Sequence, residues 1–516
     1  MSMNGAESLV QTLLACGVDT CFANPGTSEM HFVAALDRVP GMRCVLGLFE
    51  GVVTGAADGY ARMAGKPAAT LLHCGPGLAN GLANLHNARR ATTMMVNCVG
   101  DQATHHRPLD APLTADTEGW ARGVSGWVRT ASQAGLVGAD AAAAVQAART
   151  SPGTIATLIL PSDTCWNPGG LPARPLPVPP APQVAPHVVR DIARLLRRGE
   201  PTMLLLATDA LRAAPLADAH RIAAATGVKL WAPTSNRRIE RGAGRYPIDR
   251  VPYAIEQAVA ALAGIKHVVL VGAQTPPVGF FGYPNKPGVM TPPDAVVHVL
   301  ARPEHDLPAV LAALADELGA PAVAPPPGGT RPQPARGEVT PETFAASLAA
   351  LLPEDAIIAD ESVSFGRSAY PLTEDAAPHD WIAITGGAIG NGIPLATGAA
   401  IACPGRRVVT LEADGSAMYT FQGLWTQARE NLDVTTIVFA NRKYAILLGE
   451  LANVGANPGR TALDMLDLTR PALDFVKMGE SMGVPGGRAD TMERFNDLFA
   501  QSCSRRGPFL IELVIS

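Results

Sequence analysis

The chain has 516 residues, 47% hydrophobic and 17% charged, enough to bury the cores of about two to four globular domains and too apolar for a disordered polymer. Its 41 basic and 46 acidic side chains leave a net charge of −5, interspersed in sequence, which argues against nucleic acid or an anionic membrane as partner. Eight scattered cysteines without a CxxC pair, an N-terminus with Glu7 ahead of its apolar stretch, and no long uninterrupted apolar window predict reduced thiols in a cytoplasmic protein without signal peptide or membrane span.

Two proline-dense stretches punctuate the chain: 167–186, with eight prolines in twenty residues, and 321–334, with six in fourteen. Such segments sustain neither helices nor central strands and read as extended linkers. They leave bodies at 1–166, 187–320 and 335–516, each alternating short apolar runs with amphipathic stretches. That alternation predicts three doubly wound parallel-sheet α/β domains, whose ligand sites lie beyond the C-terminal ends of their strands.

In the first body, Glu50 follows the run CVLGLF at a strand-to-helix junction, where a carboxylate serves either a helix N-terminus or chemistry. Its neighbours Leu48 and Phe49 predict an apolar setting. His73 closes the strand AATLLH and opens the loop CGPGLAN, and the pair His105–His106 reads as a solvated turn or a second proton-handling site. In the third body, neither GGAIGNG (386–392) nor, earlier, GPGLANG (75–81) fits the dinucleotide fingerprint G-x-G-x-x-G. RVVTLEA (407–413) runs into Asp414, YTFQGLWTQARE forms an amphipathic helix, and TTIVFA (435–440) runs into Asn441. A right-handed crossover brings both strand ends to one sheet edge, although 441 − 414 = 27 residues separate them. Asp-Gly and Asn are common turn residues, but Asp414, Asn441 and the backbone carbonyl of Lys443 also offer the hard oxygens that Mg²⁺ takes, with Gly415 and Ser416 beside a phosphate.

That spacing, with G-D-G-S changed to A-D-G-S and N-N to A-N, resembles the thiamin diphosphate binding motif. ANPGTSEMHFVAAL (23–36), LFEGVVTGAADGYARM (48–63), GPGLAN (75–80), GGAIGNGIPLATGAAI (386–401) and GPFLIEL (507–513) fall in the order of the acetolactate synthase, benzoylformate decarboxylase and pyruvate oxidase superfamily. The resemblance implies an aminopyrimidine-binding first domain, a central domain and a diphosphate-binding third domain. It also implies active sites between subunits of a homodimer or homotetramer. It makes Glu50 the activator of pyrimidine N1′, Ile389 the apolar wedge beneath a V-shaped cofactor and Gly387 the carbonyl that accepts from the exocyclic amine. Ser364 and Tyr444 become further cofactor contacts, and Thr27, Leu113, Ile446 and Leu447 line the substrate pocket. His73 matches a histidine that meets the substrate carboxylate or moves protons.

The implied activity is decarboxylation of a 2-keto acid, followed by acetolactate-synthase-like carboligation or by benzoylformate-decarboxylase-like release of an aldehyde. PPVGFFGYPN (276–285) lacks the second histidine of those decarboxylases, which weakens release, whereas Pro112 and Leu113 look more like the decarboxylase than the synthase. A branched Ile446 takes room from a phenyl group and points to a small aliphatic substrate. A flavin oxidase branch finds no FAD motif in the central body. A non-catalytic cofactor-binding relative is the reading from another class, and the intact Glu50 argues against it.

Overall fold

A computed structural model describes residues 2–515. The short apolar runs become strands, because Val, Ile and Leu buried on both faces suit a covered parallel sheet. The first sheet holds β1 (Thr20–Asn24), β2 (Arg43–Leu46), β3 (Ala68–Leu72), β4 (Met95–Asp101), β5 (Trp127–Thr130) and β6 (Ile155–Pro161), ordered β2-β1-β3-β4-β6-β5 and parallel throughout. The middle region supplies β7 (Thr202–Leu206), β8 (Lys229–Ala232), β9 (Ile239–Arg241), β10 (Asp249–Arg250), β11 (His267–Val271) and β12 (Val296–Ala301). The third supplies β13 (Ala356–Glu361), β14 (His379–Ala383), β15 (Val408–Ala413), β16 (Val434–Ala440), β17 (Gly486–Ala489) and β18 (Phe509–Val514).

Five of the middle strands form the sheet β10-β8-β7-β11-β12, but β9 joins the third sheet, β17-β18-β16-β15-β13-β14-β9. It pairs antiparallel to β14, Ile239 opposite Trp381, so one strand departs from the parallel pattern expected of each body. A local charge network explains the crossing: Arg238 Nε donates to Asp380 Oδ1 at 2.7 Å and Arg241 to Thr373 Oγ1 at 2.8 Å, while β9 covers an edge of β14 that would otherwise stay unpaired. The two proline-rich stretches carry no helix or strand beyond the isolated bridge Asn4–Pro168 until Pro186 begins a helix.

The first and third bodies share one core. Helix Glu50–Ala64 crosses helix Gly392–Ala402 so closely that a Cβ at Gly59 would lie 2.0 Å from the Leu395 carbonyl oxygen and one at Gly398 1.8 Å from that of Ala56. Val53, Ala56, Leu395, Ala399 and Ile382 pack in a single apolar cluster across this contact. Beside it, the fully buried pair Asp58–Arg62 reaches out: Arg62 donates to the Ala383 carbonyl at 2.7 Å and to Thr385 Oγ1 at 3.1 Å. Removing one partner of such a pair costs about 3–5 kcal/mol, so the contact is a fixed joint.

Candidate active site

In a doubly wound sheet the open crevice lies where neighbouring strands send their connections in opposite directions. In the first sheet that point falls between β1 and β3, and in the third between β13 and β15. The residues singled out in the sequence gather at both.

After β1 the chain turns through Gly26 into the short helical turn Thr27–Glu29, and after β3 His73 caps helix Cys74–Arg90. That helix begins at Cys74, so the segment CGPGLAN is helical where a loop was expected; N–H groups of the first turn need no partner inside the helix, which makes Gly75 and Pro76 tolerable there. His73 Nδ1 lies 2.8 Å from Glu29 Oε2 and 3.2 Å from Ser28 Oγ. Glu29 is buried, and its Oε2 also accepts from the Gly26 N–H at 2.8 Å. A carboxylate at Nδ1 sets the tautomer with the proton there and leaves Nε2 free to act. Cys74 joins the group through Ser28, Oγ to Sγ 3.0 Å, but burial pushes its thiol up to about 11 and keeps it protonated. Glu29, His73 and Cys74 are close enough to hold a metal, yet the carboxylate is already engaged by the Gly26 N–H, the Ser28 hydroxyl and the imidazole.

Glu50 is the first residue of its helix and 8% exposed. Asn80 Nδ2 donates to its Oε2 at 3.0 Å, and Gly77 faces Oε1 so tightly that a Cβ would come within 3.0 Å. Phe49 turns its ring over Gly51, whereas Leu48 points outward at 48% exposure, so one of the two expected apolar neighbours faces solvent within a single chain.

At the third-sheet crevice, Asp414 opens helix Asp414–Thr420 directly from β15, and the expected single helix is two, with Gly423–Arg429 following. Arg442 adopts φ 57°, which turns its N–H onto Asp414 Oδ2 at 2.6 Å; Oδ1 accepts from Gly415 N at 2.8 Å. Asn441 Oδ1 accepts from Lys443 N at 3.0 Å. Asp414 is 3% exposed, burial raises its pKa, and no cationic side chain pairs with it among the described residues. A buried carboxylate without a counter-ion, beside a carboxamide oxygen and the carbonyl of Lys443, is a donor set that fits Mg²⁺. The Tyr444 ring lies over Gly415, where a Cβ would approach to 2.4 Å, and Ser416 is buried in the same turn. Ser364 follows β13 with its N–H on the Ser362 carbonyl at 2.6 Å. Gly387 and Ile389 lie in the loop that leaves β14, and Phe280 of the middle body reaches this loop, 3.0 Å from a Cβ built on Gly387. Ile446 and the exposed Leu447 lie on helix Ala445–Asn453.

Thr27 and Leu113, by contrast, are exposed at the other crevice, and among the described residues no hydrogen bond links Glu50 to Asp414 or Asn441. His105 and His106 lie in a turn, His105 with its ring 6.5 Å from that of Trp166, and neither bonds to His73.

Several functional neighbours escaped the sequence reading. Glu29, Ser28 and Asn80 are within quoted motifs but were silent without a partner's position. Glu361 and Glu412 sit opposite each other in register at the ends of β13 and β15, fully buried. Glu361 accepts the N–H groups of Gly390 at 2.7 Å, Asn391 at 2.6 Å and Gly392, while burial raises its pKa to about 7. Burial and the neighbouring Glu361 push Glu412 up as well. A carboxyl inside the apolar run VVTLEA was the available signal.

Residues 3–122 match the family described as thiamine pyrophosphate enzyme, N-terminal TPP binding domain, and residues 366–513 match its C-terminal TPP binding domain; thiamine pyrophosphate is thiamin diphosphate. A Mycobacterium tuberculosis protein provisionally named acetolactate synthase large subunit IlvX is 54% identical over 515 residues, 99% of each chain. Benzoylformate decarboxylase of Pseudomonas aeruginosa is 29% identical over 96% of each. The solved thiamine diphosphate-dependent 4-hydroxybenzoylformate decarboxylase of Rhodococcus jostii superposes with a TM-score of 0.84 at 25% identity, over 99% of this chain and 98% of that one. The N-terminal match spans β1 and β3 and the C-terminal match spans β15 with Asp414 and Asn441, and with a relative aligned from end to end the chain belongs to the thiamine pyrophosphate-dependent enzyme family.

Proposed function

We propose that the protein is a thiamin diphosphate- and Mg²⁺-dependent 2-keto acid decarboxylase and carboligase, acetolactate synthase-like. The observation that carries this reading is the buried Asp414, bonded to backbone N–H groups but without a cationic partner among the described residues, beside Asn441 at the crevice of the third sheet. Asp414, Asn441 and the Lys443 carbonyl would hold the metal, and Gly415 and Ser416 would meet the diphosphate. When bound, the cofactor supplies a carbon nucleophile that adds to the keto group and an electron sink for the pair left by CO₂.

The chain's own residues do the remaining work. Asn80 fixes Oε2 of Glu50, so Oε1 is the atom left to share a proton with the pyrimidine. Glu29 holds His73 so that Nε2 takes or delivers a proton at the substrate oxygen or orients its carboxylate. Thr27, Leu113, Ile446 and Leu447 would shape the pocket, with Ile446 favouring a small aliphatic keto acid. No hydrogen bond joins Glu50 to Asp414 among the described residues, while Leu48 and Leu113 are exposed, at 48% and 40%, which supports a homodimer or homotetramer whose sites are completed by a second copy. Eight unpaired cysteines support a reducing, cytoplasmic setting. No helix is long and apolar enough to cross a membrane among the described residues.

Release of an aldehyde is the second reading, favoured by the Glu29–His73 dyad as a ready proton source. The middle-body segment PPVGFFGYPN, which lacks a histidine, brings Phe280 against Gly387, which favours ligation. Screening 2-keto acids for CO₂ release, with products identified in the presence and absence of an acceptor aldehyde, tests both. Turnover without CO₂, or none with any keto acid after cofactor loading, would sink the proposal.

A further inference from the structure

The loop Thr385–Asn391 has no regular structure, yet the residues on either side of Ile389 are bound at nearly every backbone group. Asn87 Nδ2 donates to the Ala388 carbonyl at 2.7 Å, and its Oδ1 accepts from the N–H groups of Gly386 at 3.1 Å and Ala388 at 3.2 Å. Beyond Ile389, the Gly390 N–H donates to Glu361 Oε1 at 2.7 Å, and the Gly390 carbonyl accepts from Asn84 Nδ2 and Thr420 Oγ1, both at 3.0 Å. Glu361 Oε2 takes the next two N–H groups, those of Asn391 and Gly392. Asn87 is wholly buried and Glu361 1% exposed.

This is more restraint than chain connection demands. A loop between a strand and a helix is satisfied by water or by its own turns, and burying two side chains that supply six hydrogen bonds to backbone groups of Gly386, Ala388, Gly390, Asn391 and Gly392 orders it at a cost in solvation and entropy. The two clamps also come from different bodies: Asn87 from helix Cys74–Arg90 and Glu361 from the end of β13. Asn80, which fixes Glu50, and Asn87 lie seven residues apart on that helix, close to one face.

We propose that Asn87 and Glu361 are positioning residues: from opposite sides they hold Ile389 and the carbonyl of Gly387 in the one geometry that bends the cofactor, and so they govern proton loss from its C2 rather than its attachment. The inference rests on the proposed function and on the roles the family resemblance implies for Ile389 as wedge and for the Gly387 carbonyl. Attachment belongs to Asp414, Asn441 and the turn after β15, none of which either clamp touches through a hydrogen bond among the described residues.

The test uses the full-length holoenzyme and three readouts: the thiamin diphosphate dissociation constant in excess Mg²⁺, the hydrogen–deuterium exchange rate at C2 of the bound cofactor, and kcat separately from KM. Asn87→Ala and Glu361→Gln should each slow C2 exchange and lower kcat about tenfold or more, with the cofactor dissociation constant and KM within about threefold of wild type. Should Glu361→Gln fail to fold, Asn87→Ala carries the test alone. Exchange within twofold of wild type in a folded variant overturns the proposal. So does slowed exchange accompanied by an equal loss of cofactor affinity and melting temperature, the pattern of a merely structural tie. A wild-type protein that neither binds thiamin diphosphate nor exchanges C2 brings down the functional reading and this inference with it, a result distinct from normal wild-type exchange that the variants leave unchanged.

Discussion

Replacing Glu50 by Gln is the sharpest perturbation of the proposed chemistry, because the structure separates what it should and should not change. The amide fills nearly the same volume, and its oxygen can still accept from Asn80 Nδ2, now 3.0 Å from Oε2. What disappears is a negative charge at the first position of helix Glu50–Ala64 and the ability to share a proton. The first loss costs stability of about 0.3–1 kcal/mol, small for a chain of 516 residues. The second removes a general acid–base step worth about 10²–10⁴-fold in rate. The variant should therefore fold, bind thiamin diphosphate within about threefold of wild type, and lose about 10²–10⁴-fold in kcat for decarboxylation and ligation alike. Exchange of the cofactor's C2 hydrogen, followed by NMR after acid quench, should slow in parallel. His73→Ala should instead raise KM or alter products while leaving C2 exchange near wild type. Normal C2 exchange in Glu50→Gln would refute the reasoning and return Glu50 to the role of a helix-end charge.

Treatment with EDTA followed by gel filtration should yield an apoprotein that regains activity only with thiamin diphosphate and a divalent ion together, and Asp414→Ala should not regain it; unchanged cofactor affinity in that variant would remove Asp414 from the metal site. Sedimentation at assay concentration should show at least a dimer, and a fully active monomer would contradict sites shared between copies. Alkylation of the native protein at pH 8, read by mass spectrometry, should leave Cys74, Cys98 and Cys165 unmodified, since burial pushes their thiols up to about 11, about 12 and about 12 and little thiolate forms. The half-buried Cys44, its pKa lowered by the hydrogen bond from Cys21, should react ahead of them; labelling in the reverse order would contradict the burial of Cys74, Cys98 and Cys165.

The alternation of apolar runs made the three sheets legible, because a strand buried on both faces must be apolar throughout, and Asp414 and Asn441 were legible because each ends such a run. What stayed hidden depended on partners remote in sequence. Strand β9 is three residues long, with Glu240 and Arg241 among them, and becomes a strand only because Asp380 and the edge of β14 receive it. Helix boundaries shifted for a local reason: Asp414 and Cys74 both start helices immediately after their strands, with no intervening loop of the kind that Gly and Pro nearby suggested.

The site divides along the same line. Residues whose chemistry is intrinsic, Glu50, His73 and Asp414, stood out from spacing and resemblance, whereas those acting through another residue, Glu29, Asn80, Asn87 and Glu361, did not, because a buried Asn or Glu has no sequence signature until its hydrogen-bond partner is known. Glu361 and Glu412 show how far such hidden groups can matter. Two carboxyls paired in register inside a sheet cannot both ionise cheaply, and three N–H groups converge on Glu361. Burial raises the pKa of both, Glu361 to about 7, and Glu361 lies under the loop that carries Ile389. A strand that needed only to be buried would have carried valine at both positions. That two acids stand there, at the crevice where the turn opened by Asp414 begins, links the loop that carries Ile389 to the candidate site.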